Sequence, residues 1–296
     1  MGSLSCSRLG RDRRSLVPGV CLGAFVLAAA GCHTPVLTQQ LEARQLAADL
    51  RLQFNKAADA SNRAVMAETD EASGAAAREA DQLTGAIQRG AQALQPILQE
   101  LAYADEIRLL QEFDGRFDEY RTLDRTILGL AVENTNLKAQ RLAFGPAREA
   151  ADAFRDSLEA ISRASQDAWR VHAMVASAVA NVREIQVLQA PHIAESDEAE
   201  MSRMETQMAA AETAARRAVD SLKSLVRPSP DLAAAAAALD RFKALNTEVV
   251  SLSRRNSDVH SLALSLGRKR TLTAACDDSL RALQVALQKH DFTATR

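Results

Sequence analysis

The sequence reads YRTLDRTILGLAVENTNL at positions 120–137 and FKALNTEVVSLSRRNSDV at positions 242–259. Both stretches belong to a longer internal repeat, in which residues 117–161 return at an offset of 122 positions. Apolar residues recur every three or four positions in each copy, and this spacing indicates a long helix packed against others in a coiled coil or bundle. The seam positions are 120, 123, 127, 130 and 137 in the first copy and 242, 245, 249, 252, 259, 263 and 266 in the second. The repeat therefore predicts two helical modules.

A glycine follows each seam, Gly145 in the first copy and Gly267 in the second. Glycine is favoured just beyond a helix C-terminus because it adopts a positive φ without strain. A second helical stretch follows each glycine and ends in the repeated string Asp-Ser-Leu-x-Ala. We therefore predict that each copy contains an antiparallel helix pair, with the chain reversing at the glycine.

The repeat also extends backward along the chain. The string AETDEA at 67–72 returns as AESDEA at 194–199, where Asp197 and Glu200 form a capping-box pattern that starts a helix. Four helices are then predicted in each copy. They span 37–68, 70–101, 104–144 and 147–168 in the first copy and 169–194, 197–226, 231–266 and 269–289 in the second. Since no residue between 147 and 190 breaks a helix, we expect one continuous helix of about 65 Å to join the copies.

The predicted fold is all-α, with two stacked four-helix bundles that share this long continuous helix. Module 1 spans 38–168, module 2 spans 169–290, and 291–296 form a tail.

Charged residues make up 25% of the chain and aromatic residues 4%, which is typical of long packed helices. The net charge of −2 gives no basic face, so nucleic acid is not an expected partner. Cys276 is interpreted as an inert small hydrophobe in an amphipathic helix.

The N-terminal residues form a targeting segment. Arginines at 8, 11, 13 and 14 precede an apolar run that is short for a membrane span. The run ends in LAAAGC at 27–32, which resembles the lipobox of bacterial lipoproteins, with Ala29 in place of the commoner leucine. The resemblance implies a signal peptide at 1–31, lipidation of Cys32 and a lipidated tether at 32–37. Since His33 rather than an aspartate follows the cysteine, it implies an outer-membrane anchor facing the periplasm. The alternative is an ordinary cleaved signal followed by a chance cysteine.

A set of residues spread over both copies forms a recognisable pattern. They are Glu112, Phe113, Phe117 and Tyr120 in the first copy and His192, Ile193, Ser196, Asp197, Glu200, Met201, Met204, Glu205, Phe242, Asn256 and Gly267 in the second. Over about 40–290 the chain resembles the four-helix-bundle sensor domain of methyl-accepting chemotaxis receptors, in tandem as in the helical bimodular type. The resemblance implies binding of a small molecule, often an organic acid, and a homodimer. Those receptors have membrane helices on both sides of the sensor, which this sequence lacks, so we expect any signal to pass to a membrane-spanning partner.

The sequence contains no catalytic or metal-ligating constellation, and we predict neither an enzyme nor a bound cofactor or metal. His172 and His192 lack partners at the spacing of a metal site. Asp118, Glu119 and Asp124 are interpreted as surface carboxylates that pair with arginines on their own helix.

Three polar residues are the candidate ligand-binding residues. Asn134 and Asn256 occupy the apolar seams, where an asparagine usually fixes helix register at a cost in stability. On that interpretation, replacing either by leucine should stabilise the fold; alternatively, each donates a hydrogen bond to a ligand held between helices. Arg183 could pair with a carboxylate ligand through its planar guanidinium. The alternative for Arg183 is an exposed side chain near Glu184.

The leading hypothesis is a lipid-anchored extracytoplasmic sensor-like module that binds a small molecule or a partner protein, without a transmembrane signalling part of its own. The alternative is a structural helical spacer or envelope tether with no ligand. A buried polar pocket in one bundle would favour the first hypothesis, and fully apolar cores in both bundles would favour the second.

Overall fold

The computed structural model of the protein describes residues 35–165 and 169–290. The predicted signal peptide, Cys32 and the tail at 291–296 lie outside the described residues, so the lipoprotein interpretation stays a prediction. No helix in the described part of the chain is long and apolar enough to cross a membrane.

The described residues form helices and connecting turns, with no β-strand among them, so the predicted all-α class is confirmed. The helices are α1 (Pro35–Val65), α2 (Asp70–Glu100), α3 (Ala104–Glu133), α4 (Thr135–Leu142), α5 (Arg148–Ala164), α6 (Trp169–Ala194), α7 (Glu198–Leu225), α8 (Pro230–Arg255), α9 (Ser257–Leu264) and α10 (Arg270–Lys289). Two π-helical turns, Ala143–Ala147 and Ser265–Lys269, join α4 to α5 and α9 to α10. Asp197 caps α7 as predicted by accepting from two backbone N–H groups. Helix α2 contains Pro96 and continues past it to Glu100.

Two apolar cores divide these helices into two groups of four. Bundle A consists of α1, α2, α3 and α10, and its centre is an aromatic cluster in which Phe54 lies edge-on to Phe113, Phe117 and Tyr120. Bundle B consists of α5, α6, α7 and α8 and has a core of smaller side chains around Phe154 and Phe242. The short helices α4 and α9 lie between the two bundles, and we call this region the junction.

The fourth helix of each repeat packs in the other repeat's bundle, which differs from the predicted division into modules 38–168 and 169–290. Leu280, Leu283 and Leu287 of α10 are fully buried in bundle A, while α5 supplies Phe154 and Leu158 to bundle B. Burial of one such side chain stabilises a fold by about 1.5–3 kcal/mol. Each bundle therefore depends on a helix from the other half of the sequence.

The exchange follows from how the chain passes Gly145 and Gly267. Neither glycine has a positive φ, and no other glycine of the described residues does. Each lies inside a π-helical turn, where Gly267 has φ −91° and ψ −105°. A π-helical turn holds one extra residue without ending the helix, and in the first copy it also accommodates Pro146, which has no N–H to donate. The predicted reversal at these glycines is therefore wrong, and each chain segment continues into the next bundle.

The chain reverses instead after α5, so the predicted continuous helix through Trp169 is also wrong. Helix α5 ends at Ala164, α6 begins at Trp169, and the two helices pack against each other. Ser162 Oγ lies 2.5 Å from His172 Nδ1, whereas ten residues of one α-helix would separate the two positions by about 15 Å.

Candidate functional site

A buried ion pair lies in the core of bundle A. Lys269 Nζ is 3.0 Å from Asp124 Oδ1, and the two side chains are 2% and 4% exposed. The ammonium also donates to Ser61 Oγ and, at 3.4 Å, to Asn62 Oδ1, and Ser61 donates to Asp124 at 2.5 Å. Burial of two charges costs several kcal/mol per ion before their attraction is counted. The sequence interpretation of Asp124 as a surface carboxylate is therefore wrong.

Tyr120 adjoins this pair and carries a hydroxyl that has no hydrogen-bond partner among the described residues. Lys269 Nζ lies 5.9 Å from the centre of its ring. Burial raises the pKa of the Tyr120 hydroxyl far above its usual range, with the charge of Asp124 adding to the effect. Burial lowers the pKa of Lys269, while Asp124 acts in the opposite direction. Bundle A thus contains a polar cluster within an otherwise apolar core.

An open groove between α2 and α3 reaches this cluster and has a volume of about 520 Å³. Asp124 lies at its base, Leu128 and Val132 form part of its wall, and three arginines surround it. The arginines are Arg78, Arg121 and Arg125. We call this feature the α2/α3 groove. Its volume falls in the range of small-molecule sites.

The guanidinium groups of the α2/α3 groove are only weakly compensated. Arg121 Nε is buried without a hydrogen-bond partner in the described structure, and its one ion pair within 4 Å among the described residues is with Asp118 at 3.8 Å. The carboxylates of Asp81 and Asp124 also line the groove. Its guanidinium also lies 6.0 Å from the centre of the Phe117 ring. Arg78 and Arg125 form no ion pair with any described residue. A buried polar atom without a partner is costly, and a planar guanidinium matches a carboxylate or phosphate through paired hydrogen bonds. This arrangement can therefore bind a small anion.

Asn134 and Asn256, the first two predicted site residues, lie at the junction. Both adopt the left-handed conformation, with φ 51° in each, and each separates two helices rather than continuing a seam. Asn134 Nδ2 donates to Asp70 Oδ1 at 2.7 Å. Asn256 Nδ2 donates to the Glu195 carbonyl at 2.7 Å, and its Oδ1 accepts from Asn136 Nδ2 at 2.7 Å. We therefore assign both asparagines to shaping the junction rather than to fixing register within a seam.

Hydrogen bonds across the junction pair equivalent positions of the two repeats. The Thr135 N–H donates to Ser257 Oγ at 3.0 Å, and the Ser257 N–H donates to Thr135 Oγ1 at 3.1 Å. The Asp258 N–H donates to Asn136 Oδ1 at 3.2 Å, while Asp258 Oδ2 accepts from the Leu137 N–H at 3.1 Å. The free N–H groups that begin α4 and α9 are thus satisfied by side chains of the other repeat.

Arg183, the third predicted site residue, lies on α6 in bundle B, outside the junction. It is exposed and lines a groove of about 410 Å³ between α5 and α6, beside Arg148 and Arg155. Arg155 is paired with Asp152 at 2.8 Å and with Asp156 at 2.8 Å. The structure therefore does not bring Arg183 together with Asn134 or Asn256, and its neighbours in the groove are already partly neutralised.

His192 is buried in a hydrogen-bonded cluster of bundle B. Its Nδ1 is 2.8 Å from Ser253 Oγ and its Nε2 is 2.9 Å from Glu205 Oε1. Arg254 binds the same carboxylate with Nε at 2.6 Å and Nη2 at 3.0 Å, and these bonds hold the pKa of Glu205 below its ordinary value.

Within the described residues no group of histidine, cysteine and carboxylate side chains could hold a metal ion. Burial raises the pKa of Cys276 to about 12, so its thiol stays protonated at neutral pH.

Sequence reasoning missed the buried Lys269–Asp124 pair because its two residues are far apart in the chain. Lys269 and Asp124 are separated by more than a hundred positions, and α10 was assigned to the other module. One available indication was the charge of Lys269 in a helix whose other inward positions are apolar or small.

A scan against protein-family models found no match for this chain. A search of curated proteins likewise found none with significant similarity.

Proposed function

We propose that this protein is a lipid-anchored extracytoplasmic binding module of the sensor type, and that it recognises a small anionic molecule in the α2/α3 groove. The observation that supports the proposal most directly is Arg121, which lines the open groove and has no strong ion pair among the described residues. A bound carboxylate or phosphate would pair with the exposed part of this guanidinium and be attracted by Arg78 and Arg125. Leu128 and Val132 suit an apolar portion of the same molecule.

The polar cluster of bundle A favours binding over the alternative, a spacer or tether without a ligand. A spacer needs only packed apolar seams, and replacing a buried ion pair by apolar residues is often neutral or stabilising. The carboxylate of Asp124, which is paired with Lys269, lines the groove. In a binding module this carboxylate sets the depth to which an anion can enter, because like charges repel.

The proposed anchor is compatible with the position of bundle A. Helix α1 begins at Pro35, and Arg44 on its third turn donates to the carbonyls of Leu287 and His290 at the end of α10. A lipid on Cys32 would therefore place this end of bundle A next to the membrane, with bundle B further away. Palmitate labelling of the wild type and of Cys32→Ala tests the anchor, since equal labelling of both would remove it.

The binding proposal is tested by the thermal unfolding of residues 33–296 with a panel of small organic acids and inorganic phosphate. A ligand at a hundred times its Kd stabilises a fold by about 2.7 kcal/mol, which corresponds to a rise of about 5–10 °C in Tm for a domain of this size. Arg121→Gln should abolish the rise, and the exposed Arg217→Gln serves as the matched control. Loss of the rise in Arg183→Gln instead would move the site to bundle B.

If no compound in the panel raises Tm, the spacer or tether alternative replaces the binding proposal. A membrane-spanning partner and a homodimer also belong to the proposal. Crosslinking in intact cells, with and without the acid that raises Tm, tests both.

A further inference from the structure

The predicted apolar seam of the second repeat turns outward beyond the junction. Val249 is buried as the seam predicts, but the seam position Leu266 is 62% exposed, and Leu262, which precedes the seam position 263, is 38% exposed. The buried positions of this stretch are instead polar, among them Ser261 and Lys269. The left-handed residue before α9 and the extra residue of the π-helical turn rotate the helix and so exchange its inner and outer faces.

The outward-facing leucines line a groove between α1 and the segment formed by α9 and α10, with a volume of about 620 Å³. Met66, which is 69% exposed, and Val65 line it from α1. We call it the α1/α10 groove. Ala274 is one of its lining residues near the outer end.

At its inner end the α1/α10 groove merges with a second depression of about 400 Å³, with which it shares Val65, Met66 and Leu262. This depression adds Leu137 and Val259 to the apolar lining, beside polar residues that include Asn134 and Asp258. From Val259 to Leu266 the apolar lining extends about 11 Å along the helices, which suits a hydrocarbon chain of medium length.

Three charged residues line the α1/α10 groove: Lys269, Arg270 and Asp277. Lys269 is paired with Asp124 at 3.0 Å, whereas Arg270 forms no ion pair with any described residue. Asp277 is held by Arg51 at 2.7 Å and by Arg281 at 2.8 Å, which lowers its pKa. The uncompensated charge is therefore a single cation beside an apolar track, and the polar groups of Thr273 and Asn62 also line the groove.

We infer that the α1/α10 groove binds a fatty carboxylate, with its head group at Arg270 and its hydrocarbon chain along Leu266, Met66 and Leu262. An anionic head complements the unpaired guanidinium, and the chain removes the exposed surface of three large apolar side chains from water. This site lies on the side of bundle A formed by α1 and α10, whereas the α2/α3 groove uses other helices. It does not rest on the function proposed above.

Isothermal titration calorimetry of residues 33–296, which contain every described helix, tests this inference with decanoate below its micellar concentration. We expect saturable binding of one decanoate. Butyrate and decanol should each bind at least tenfold more weakly, because butyrate lacks the long hydrocarbon chain and decanol lacks the carboxylate. Arg270→Gln should weaken decanoate binding roughly tenfold, as loss of a hydrogen bond to a charged group does, and leave decanol unchanged. Leu266→Glu should abolish binding of decanoate.

Phe144 provides the matched control, because it occupies the equivalent position of the other π-helical turn and is 57% exposed. Phe144→Glu should leave decanoate binding unchanged. Circular dichroism verifies that each variant remains helical. Equal binding of decanoate to Leu266→Glu, equal loss in Phe144→Glu, or tighter binding to phosphatidylglycerol vesicles than to free decanoate would each overturn the inference.

Discussion

Replacement of Asn256 by leucine gives the sharpest test of the junction, because the seam interpretation and the structure predict opposite signs. In the seam interpretation the leucine fills an apolar position and stabilises the fold. In the structure Asn256 has φ 51° and ψ 36°, a conformation that costs an ordinary L-residue about 1–2 kcal/mol. Leucine would also remove the bonds to the Glu195 carbonyl and to Asn136. Leaving buried groups without partners costs about 1–3 kcal/mol, so Asn256→Leu should lower the free energy of unfolding by about 2–5 kcal/mol.

A second substitution separates the two contributions. Asn256→Gly tolerates the positive φ but still loses the side-chain bonds, so it should cost about 1–3 kcal/mol and be less damaging than leucine. Urea unfolding followed by far-UV circular dichroism measures both, with an unchanged m-value as the condition for comparing them. Asn181→Leu, on the exposed face of α6, is the control and should stay within about 0.5 kcal/mol of the wild type. The reasoning is refuted if Asn256→Leu is as stable as the wild type, or if leucine and glycine cost the same.

Three further predictions concern the bundles. Lys269→Met should destabilise the protein by about 3–5 kcal/mol in urea unfolding, because it leaves the Asp124 carboxylate without its cation. The double variant Lys269→Met/Asp124→Leu should recover most of this loss. A double variant as unstable as Lys269→Met alone would contradict this. Because Arg254 holds the pKa of Glu205 below its ordinary value, this carboxylate contributes stability above its unfolded pKa of about 4.3 and loses it as the pH falls further. The acid limb of a stability-against-pH curve should therefore be less steep in Arg254→Gln, and identical limbs would show that the ion pair has no such effect. A fragment of residues 35–165 should lack cooperative thermal unfolding, since bundle A then lacks α10; a sharp transition would show that the exchanged helix is dispensable.

The helices were predictable from the sequence because their causes are local. Apolar spacing of three and four residues, the capping residue Asp197 and the turn strings at 67–72 and 194–199 act within one or two helical turns, and the structure keeps all of them. The internal repeat likewise indicated two helical modules, and the structure has two apolar cores.

The partners of those helices were decided only by the tertiary structure. Whether a chain reverses or continues past Gly145 depends on a few backbone angles, and a π-helical turn and a hairpin are equally compatible with the same local sequence. That single choice sends α5 and α10 into opposite bundles. It also brings Lys269 to Asp124, a contact that no periodicity encodes because hydrogen bonds between distant positions depend on the packing of whole helices. The sequence determined which faces of the long helices are buried. The left-handed asparagines and the two π-helical turns determined which faces meet, and which face is buried in the segment after Asn256.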